Sequence, residues 1–176
     1  MGSHMVSETS DMTVVLGHAA SGKSLWAETE VQRIGGRPIY VATARIRDAE
    51  IRAKVTAHAR RRGSDWTLVE EPGELADLCR GFSAQDTILI DCATMWLTNR
   101  MMDEEDWQSL ANEWISAMSS GSGRFVVVSN DVGGGITPDN AMAREFQRMQ
   151  GALNQSLAAA ARRVFLVTAG LPQQLK

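Results

Sequence analysis

The sequence predicts an α/β fold in which a mostly parallel sheet carries helices on both faces. Three observations predict it. Short apolar, β-branched runs alternate along the chain with longer amphipathic stretches, the pattern of strand and helix in turn. The runs are nearly continuous in apolar character, as strands buried on both faces are. No repeat, low-complexity segment or long linker divides the chain.

Taken in order, Thr13-Val14-Val15-Leu16 is the first strand, followed by Gly17 and a small-residue loop. A helix is predicted over 23–34, where Gly35-Gly36 stops it. A second strand covers 38–41, and a helix covers 48–61, with Ile51 and Val55 one turn apart. A third strand covers 66–69, and Leu75, Leu78 and Cys79 mark a short helix. Thr87-Ile88-Leu89-Ile90 is a fourth strand ending at Asp91. Helices over 93–102 and 105–118 precede a turn at 119–123 and a fifth strand at 125–128. That strand leads into Asn130-Asp131-Val132-Gly133-Gly134-Gly135, a long helix over 141–161 and a last strand at 164–167. Ligands of such sheets sit beyond the carboxyl ends of the strands.

Met1-Gly2-Ser3-His4-Met5 reads as an expression scar, which leaves 6–176 as a single domain. Hydrophobic residues make up 44% and charged residues 22%, the proportions of an ordinary globular domain. A net charge of -3 argues against a general nucleic-acid partner. No apolar run approaches the length of an integral membrane segment, and no secretory signal follows the scar. Cys79 and Cys92 form no disulfide or zinc pattern. These features together suggest a reducing, cytoplasmic setting.

Gly17-His18-Ala19-Ala20-Ser21-Gly22-Lys23-Ser24 matches GxxxxGK[ST] in full, after a predicted strand and at the start of a predicted helix, the context a phosphate-binding loop requires. The expected fold is therefore P-loop NTPase-like. Backbone amides of the loop turn inward around phosphate oxygens, and the helix N-terminus adds its dipole. Lys23 would reach the β- and γ-phosphates, and the Ser24 hydroxyl would bind Mg²⁺. Asp91 ends an apolar strand, as a carboxylate that holds Mg²⁺ does, although an Asp there also caps helices.

A phosphate loop leaves open a regulatory GTPase, a motor or recombination ATPase and a small-molecule kinase. The guanine signature Asn-Lys-x-Asp is absent, since Asn130-Asp131-Val132-Gly133 lacks the lysine. The chain is short for a motor and is not basic, so a kinase of a small metabolite is the default. A nucleotide-binding regulatory subunit without turnover is the non-catalytic alternative. His58 lies seven residues after Ile51 and three after Val55, on one apolar stripe, which suggests packing. Arg60-Arg61-Arg62 follow it. Such a cluster either forms a solvated helix end or neutralises a triphosphate and keeps the imidazole nucleophilic.

The chain resembles the adenosylcobinamide kinase/adenosylcobinamide-phosphate guanylyltransferase family. The resemblance is carried by Gly17 to Ser24, Val41-Ala42-Thr43, His58 eight residues before Trp66, and Glu70-Glu71-Pro72. It continues through Asp91-Cys92, Thr98-Asn99, Ser129-Asn130-Asp131-Val132-Gly133, Ile136-Thr137-Pro138, Ala143-Arg144, Phe146, Gly151, Asn154-Gln155 and the closing Gly170-Leu171-Pro172 with Leu175-Lys176. It implies phosphorylation of adenosylcobinamide by ATP or GTP. It also implies transfer of GMP from GTP, through a guanylyl-histidine at His58, to give adenosylcobinamide-GDP. On the same resemblance the nucleotide contacts are Gly17 through Ser24, Ala42-Thr43-Ala44 and Gly63-Ser64-Asp65-Trp66, and the assembly is a homotrimer. Such an interface would engage Trp96, Leu97 and Trp107 of the middle helices. The chain departs from the family pattern at Ala20 and Ala59, where a basic residue is common, and at Gly63, where proline is usual.

Overall fold

The computed structural model describes residues 11–45, 56 and 62–176. The helix expected over 48–61, with His58, Ala59, Arg60 and Arg61, lies almost wholly outside the described residues. Strands β1 (Met12–Gly17), β2 (Arg37–Ala42), β3 (Thr67–Glu70), β4 (Asp86–Asp91), β5 (Arg124–Asn130), β6 (Arg163–Thr168) and β7 (Leu171–Gln174) form one sheet. Its order is β3-β2-β4-β5-β1-β6-β7. Every pair is parallel except β6 with β7. The described helices are α1 (Lys23–Ile34), α2 (Leu75–Arg80), α3 (Ala93–Met102), α4 (Trp107–Ser120) and α5 (Ala141–Ala160).

Strand side chains alternate between two cores because successive residues point to opposite faces. In β5, Phe125 and Val127 join Met12, Val14, Ile88 and Ile90 beneath α2 to α5. Val126 and Val128 join Val15, Leu89 and Val167 beneath α1. Both faces are therefore apolar, which is why the strands read as unbroken apolar runs. Gly35, at φ 79°, ends α1 in a conformation that favours glycine. Asp106 caps α4 by accepting the Ser109 N–H at 3.2 Å, and Asn140 caps α5 by accepting those of Met142 and Ala143 at 2.8 and 3.2 Å.

Among the described residues the expected strands and helices are present, with three differences. Strand β7 was not expected; Leu171-Pro172-Gln173-Gln174 has neither an apolar run nor alternation, and Pro172 is tolerated because β7 is an edge strand. Ser119 and Ser120 belong to α4 rather than to the following turn; their hydroxyls return to the carbonyls of Ile115 and Ser116. Trp96 and Leu97 are fully buried in the core of this chain, and Trp107 packs against it. The first two therefore cannot form the expected intersubunit surface.

Candidate active site at the carboxyl edge of the sheet

Parallel pairing sets the carboxyl ends of the central strands side by side. Gly17 pairs with Asn130, and Ala42 with Asp91. The loop from Gly17 to Lys23 rises from this edge into α1. Its curvature uses left-handed backbone at Ala20, φ 58°, and Gly22, φ 89°. Gly17 has no room for a side chain: a Cβ there would meet the Ser21 hydroxyl and lie 2.7 Å from the Val167 carbonyl oxygen.

The loop is held from two sides. The Asp131 N–H donates to the Gly17 carbonyl at 3.0 Å, and the Gly170 N–H donates to the Ser21 carbonyl at 2.7 Å. His18 Nδ1–H donates to the Asp131 carbonyl at 2.8 Å; a carbonyl can only accept, which assigns the proton. Lys23 is buried, and its Nζ donates to the His18 carbonyl at 2.9 Å across the mouth of the loop. Burial pushes the Lys23 pKa down, opposed in part by the neighbouring Asp91 carboxylate. Phosphate oxygens beside the ammonium would favour its charged form. The first turn of α1 carries no acidic residue and no side-chain cap, so its amides face the loop unshielded. The buried Ser21 Oγ has no partner among the described residues. A cradle of amides, a lysine and an orphaned hydroxyl suits a phosphate chain.

Asp91 lies on the α1 face of β4, and its Oδ2 accepts the Tyr40 O–H at 2.9 Å. Burial, and secondarily the Asp91 charge, push the Tyr40 pKa up, so the phenol stays a donor. No described residue bonds Oδ1 of Asp91. This carboxylate and the Ser24 hydroxyl are hard oxygen donors of the kind Mg²⁺ takes, with phosphate oxygens and water completing its shell; these residues fit that ion. Burial pushes the neighbouring Cys92 thiol up to about 12.

Thr43 is fully buried. Its Oγ1–H donates to the Cys92 carbonyl at 2.6 Å and its oxygen accepts the Cys92 N–H at 2.9 Å. The Thr43 carbonyl accepts from Asn99 Nδ2 at 2.8 Å. Thr43 thus clamps the segment after Asp91 to the end of β2. Ala42 and Ala44 flank it, so the structure gathers Gly17 to Ser24, Ala42 to Ala44 and Asp91 at one edge.

Gly63, Ser64, Asp65 and Trp66 stand elsewhere. They precede the amino end of β3, and Asp65 and Trp66 line a groove of about 290 Å³ with Arg62, Gly35, Gly36 and Pro38. That groove flanks the carboxyl end of α1, eight to twelve residues beyond Lys23, or roughly 12–18 Å along the helix. A strand entered from its amino end begins at the edge opposite the phosphate loop. Residue-by-residue reading overlooked Tyr40, the clamp role of Thr43 and the braces supplied by Asp131 and Gly170. Only the Ala169-Gly170 pair carried a local turn signal.

A family model described as cobinamide kinase / cobinamide phosphate guanyltransferase matches residues 13–175. The bifunctional adenosylcobalamin biosynthesis protein CobP of Pseudomonas aeruginosa is 36% identical over 167 residues, covering 93% of this chain and 96% of that protein. The corresponding CobU proteins of Salmonella typhimurium and Escherichia coli are 36% and 33% identical, each covering 94% of this chain and 99% of the relative. Among solved structures, a type III secretion system ATPase of pathogenic bacteria superposes with a TM-score of 0.54 at 9% identity, covering 93% of this chain and 56% of that one, which shows a shared fold. With a phosphate loop at the carboxyl edge of a P-loop ATPase-like sheet and a match that spans almost its whole length, the chain belongs to the cobinamide kinase / cobinamide phosphate guanyltransferase family of enzymes.

Proposed function

We propose that the enzyme phosphorylates the aminopropanol hydroxyl of adenosylcobinamide with ATP or GTP, and then joins GMP from GTP to that phosphate, giving adenosylcobinamide-GDP. The observation that carries this reading is the assembly of Lys23, Ser24 and Asp91 around the loop of Gly17 to Ser24, in a chain whose family match runs from 13 to 175.

In the first step the loop amides and Lys23 hold the triphosphate, and the substrate hydroxyl attacks the γ-phosphorus in line while ADP or GDP leaves. Ser24 and Asp91 would hold Mg²⁺, which when bound neutralises charge on the phosphate oxygens. Lys23 needs only to exchange its bond to the His18 carbonyl for phosphate oxygens, so the cation is already at the mouth of the loop. In the second step His58 attacks the α-phosphorus of GTP, a P–N bond forms and pyrophosphate leaves. The phosphate of adenosylcobinamide phosphate then attacks the guanylyl phosphorus and frees the imidazole. A covalent intermediate divides one transfer into two easier ones.

Incubation with α-labelled GTP and Mg²⁺, without corrinoid, tests this directly. Intact mass should increase by one GMP. The adduct should be labile in acid and durable in alkali, as a phosphoramidate is. His58→Ala should abolish adduct and guanylyl transfer while phosphorylation persists. Phosphorylation by a wild-type enzyme that never takes up GMP would establish a simple P-loop kinase with a packing histidine instead.

We further propose a cytoplasmic homotrimer. Family resemblance supports the assembly. Among the described residues no helix is long and apolar enough to cross a membrane. With Trp96 and Leu97 internal, the large apolar side chains exposed among the described residues, Leu25, Leu68, Met102, Ile136, Met142, Leu171 and Leu175, are candidates for contacts between subunits. A stable monomer in light scattering at micromolar concentration would refute the trimer.

A further inference from the structure

Tyr40 belongs to no motif quoted for the phosphate loop, yet it is the side chain that touches the carboxylate beside it. It sits one alternation before Ala42 on β2, and Ala42 pairs with Asp91 on β4. The phenol therefore shares the α1 face with Asp91 and spans two residues of strand, roughly 6.6 Å, to reach Oδ2 at 2.9 Å. The ring itself is wedged. The Arg62 guanidinium lies 3.4 Å from its centroid, and Trp66 packs edge-on at 6.4 Å and 72°. Arg62 in turn lies 3.4 Å from Glu28 on α1, both side chains almost wholly buried. Cation–π contact and ion pairing away from water are stronger than at a surface. Three elements thus fix the ring, and the O–H has one charged acceptor in reach.

We propose that Tyr40 is a positioning residue for Asp91: its O–H ties up Oδ2, stops the carboxylate from turning about its terminal torsion, and presents Oδ1 to the divalent cation that accompanies the nucleotide. The proposal rests on Asp91 as the metal carboxylate. A terminal carboxylate torsion is broad and close to two-fold, so an untethered Asp91 would spend time with neither oxygen aligned. A hydrogen bond to the non-ligating oxygen removes that freedom. It also explains why a tyrosine, rather than another apolar residue, occupies a buried position of β2 beneath α1.

The test is Tyr40→Phe, which keeps the ring between Arg62 and Trp66 and removes only the O–H. Binding of Mn²⁺ to the enzyme–GTP complex, followed by electron paramagnetic resonance, reports on Asp91 without turnover. The Mn²⁺ dissociation constant should rise about tenfold or more, the usual effect of losing a partner behind a metal ligand. The GTP dissociation constant measured in EDTA should stay at the wild-type value, and circular dichroism should show an intact fold. Asp91→Asn should weaken Mn²⁺ by itself, and adding Tyr40→Phe to it should change nothing further, because the bond's target is already altered. If Asp91→Asn weakens Mn²⁺ but Tyr40→Phe does not, positioning by Tyr40 is wrong while the metal reading stands. If Asp91→Asn has no effect, the metal reading falls and takes the proposal with it. If Tyr40→Phe weakens GTP equally in EDTA, or adds fully to Asp91→Asn, Tyr40 acts by packing and the proposal is overturned.

Discussion

Gly17→Ala adds one methyl group at the most crowded point of the phosphate loop. The new Cβ would lie 2.7 Å from the carbonyl oxygen of Val167 and closer still to the Ser21 hydroxyl, where ordinary contact begins near 3.4 Å. Ser21 can rotate, but the carbonyl belongs to β6, which is hydrogen-bonded to β1 on one side and β7 on the other. Relief therefore needs a backbone shift of about 0.7 Å in the ladder or in the loop. Overpacking of this kind costs about 1–3 kcal/mol, which for a chain of this size lowers the melting temperature by roughly 2–12 °C. A loop displaced by even part of an ångström also aims its amides wrongly, and a misplacement near 1 Å can cost about 100-fold in rate. Urea denaturation would give the stability loss, and GTP titration the loss of binding. Adding Ser21→Ala should recover less than half of the stability, because the Val167 carbonyl remains. A Gly17→Ala protein within about 0.5 kcal/mol of wild type, with unchanged GTP affinity, would refute the packing argument and the assigned position of the loop.

Lys23→Ala removes the cation that bridges the mouth of the loop; both phosphorylation and guanylyl transfer should fall by about 100- to 1,000-fold or more, measured by product formation with labelled GTP. Thr43→Val strips the Cys92 N–H of its acceptor inside the protein and should cost about 1–3 kcal/mol in denaturation, with Thr43→Ser restoring most of it. Asp86 is held below its ordinary pKa of 3.8, first by the Ser83 backbone N–H at 2.8 Å and also by Arg37. A depressed carboxylate stabilises fully above its unfolded-state pKa and loses that contribution as pH falls toward the lower folded value. Asp86→Asn should therefore lower stability by about 1 kcal/mol at pH 7, with the difference from wild type closing below about pH 4, as thermal denaturation across pH would show.

The phosphate loop and the fold class were legible in the amino-acid order alone, and the reason is locality. Consecutive residues from Gly17 to Ser24 carry their own backbone geometry, and strands buried on both faces leave unbroken apolar runs such as Thr87 to Ile90. Asp91 was legible because it ends such a run. Strand β7 was not, since an edge strand with a proline needs no apolar pattern and owes its place to pairing with β6. What braces the site emerged only from the folded arrangement. Tyr40 meets Asp91 across 51 residues, Thr43 meets Cys92 across 49, and His18 meets Asp131 across 113. It also decided that Trp96 and Leu97 face the core, and that Asp65 and Trp66 stand at the far end of α1 from Lys23. An apolar residue reads alike whether it packs inward or against a neighbour. A polar residue at a strand end gives no sign of which distant strand will bring it a partner, because register and strand order exist only once the sheet has closed around its core.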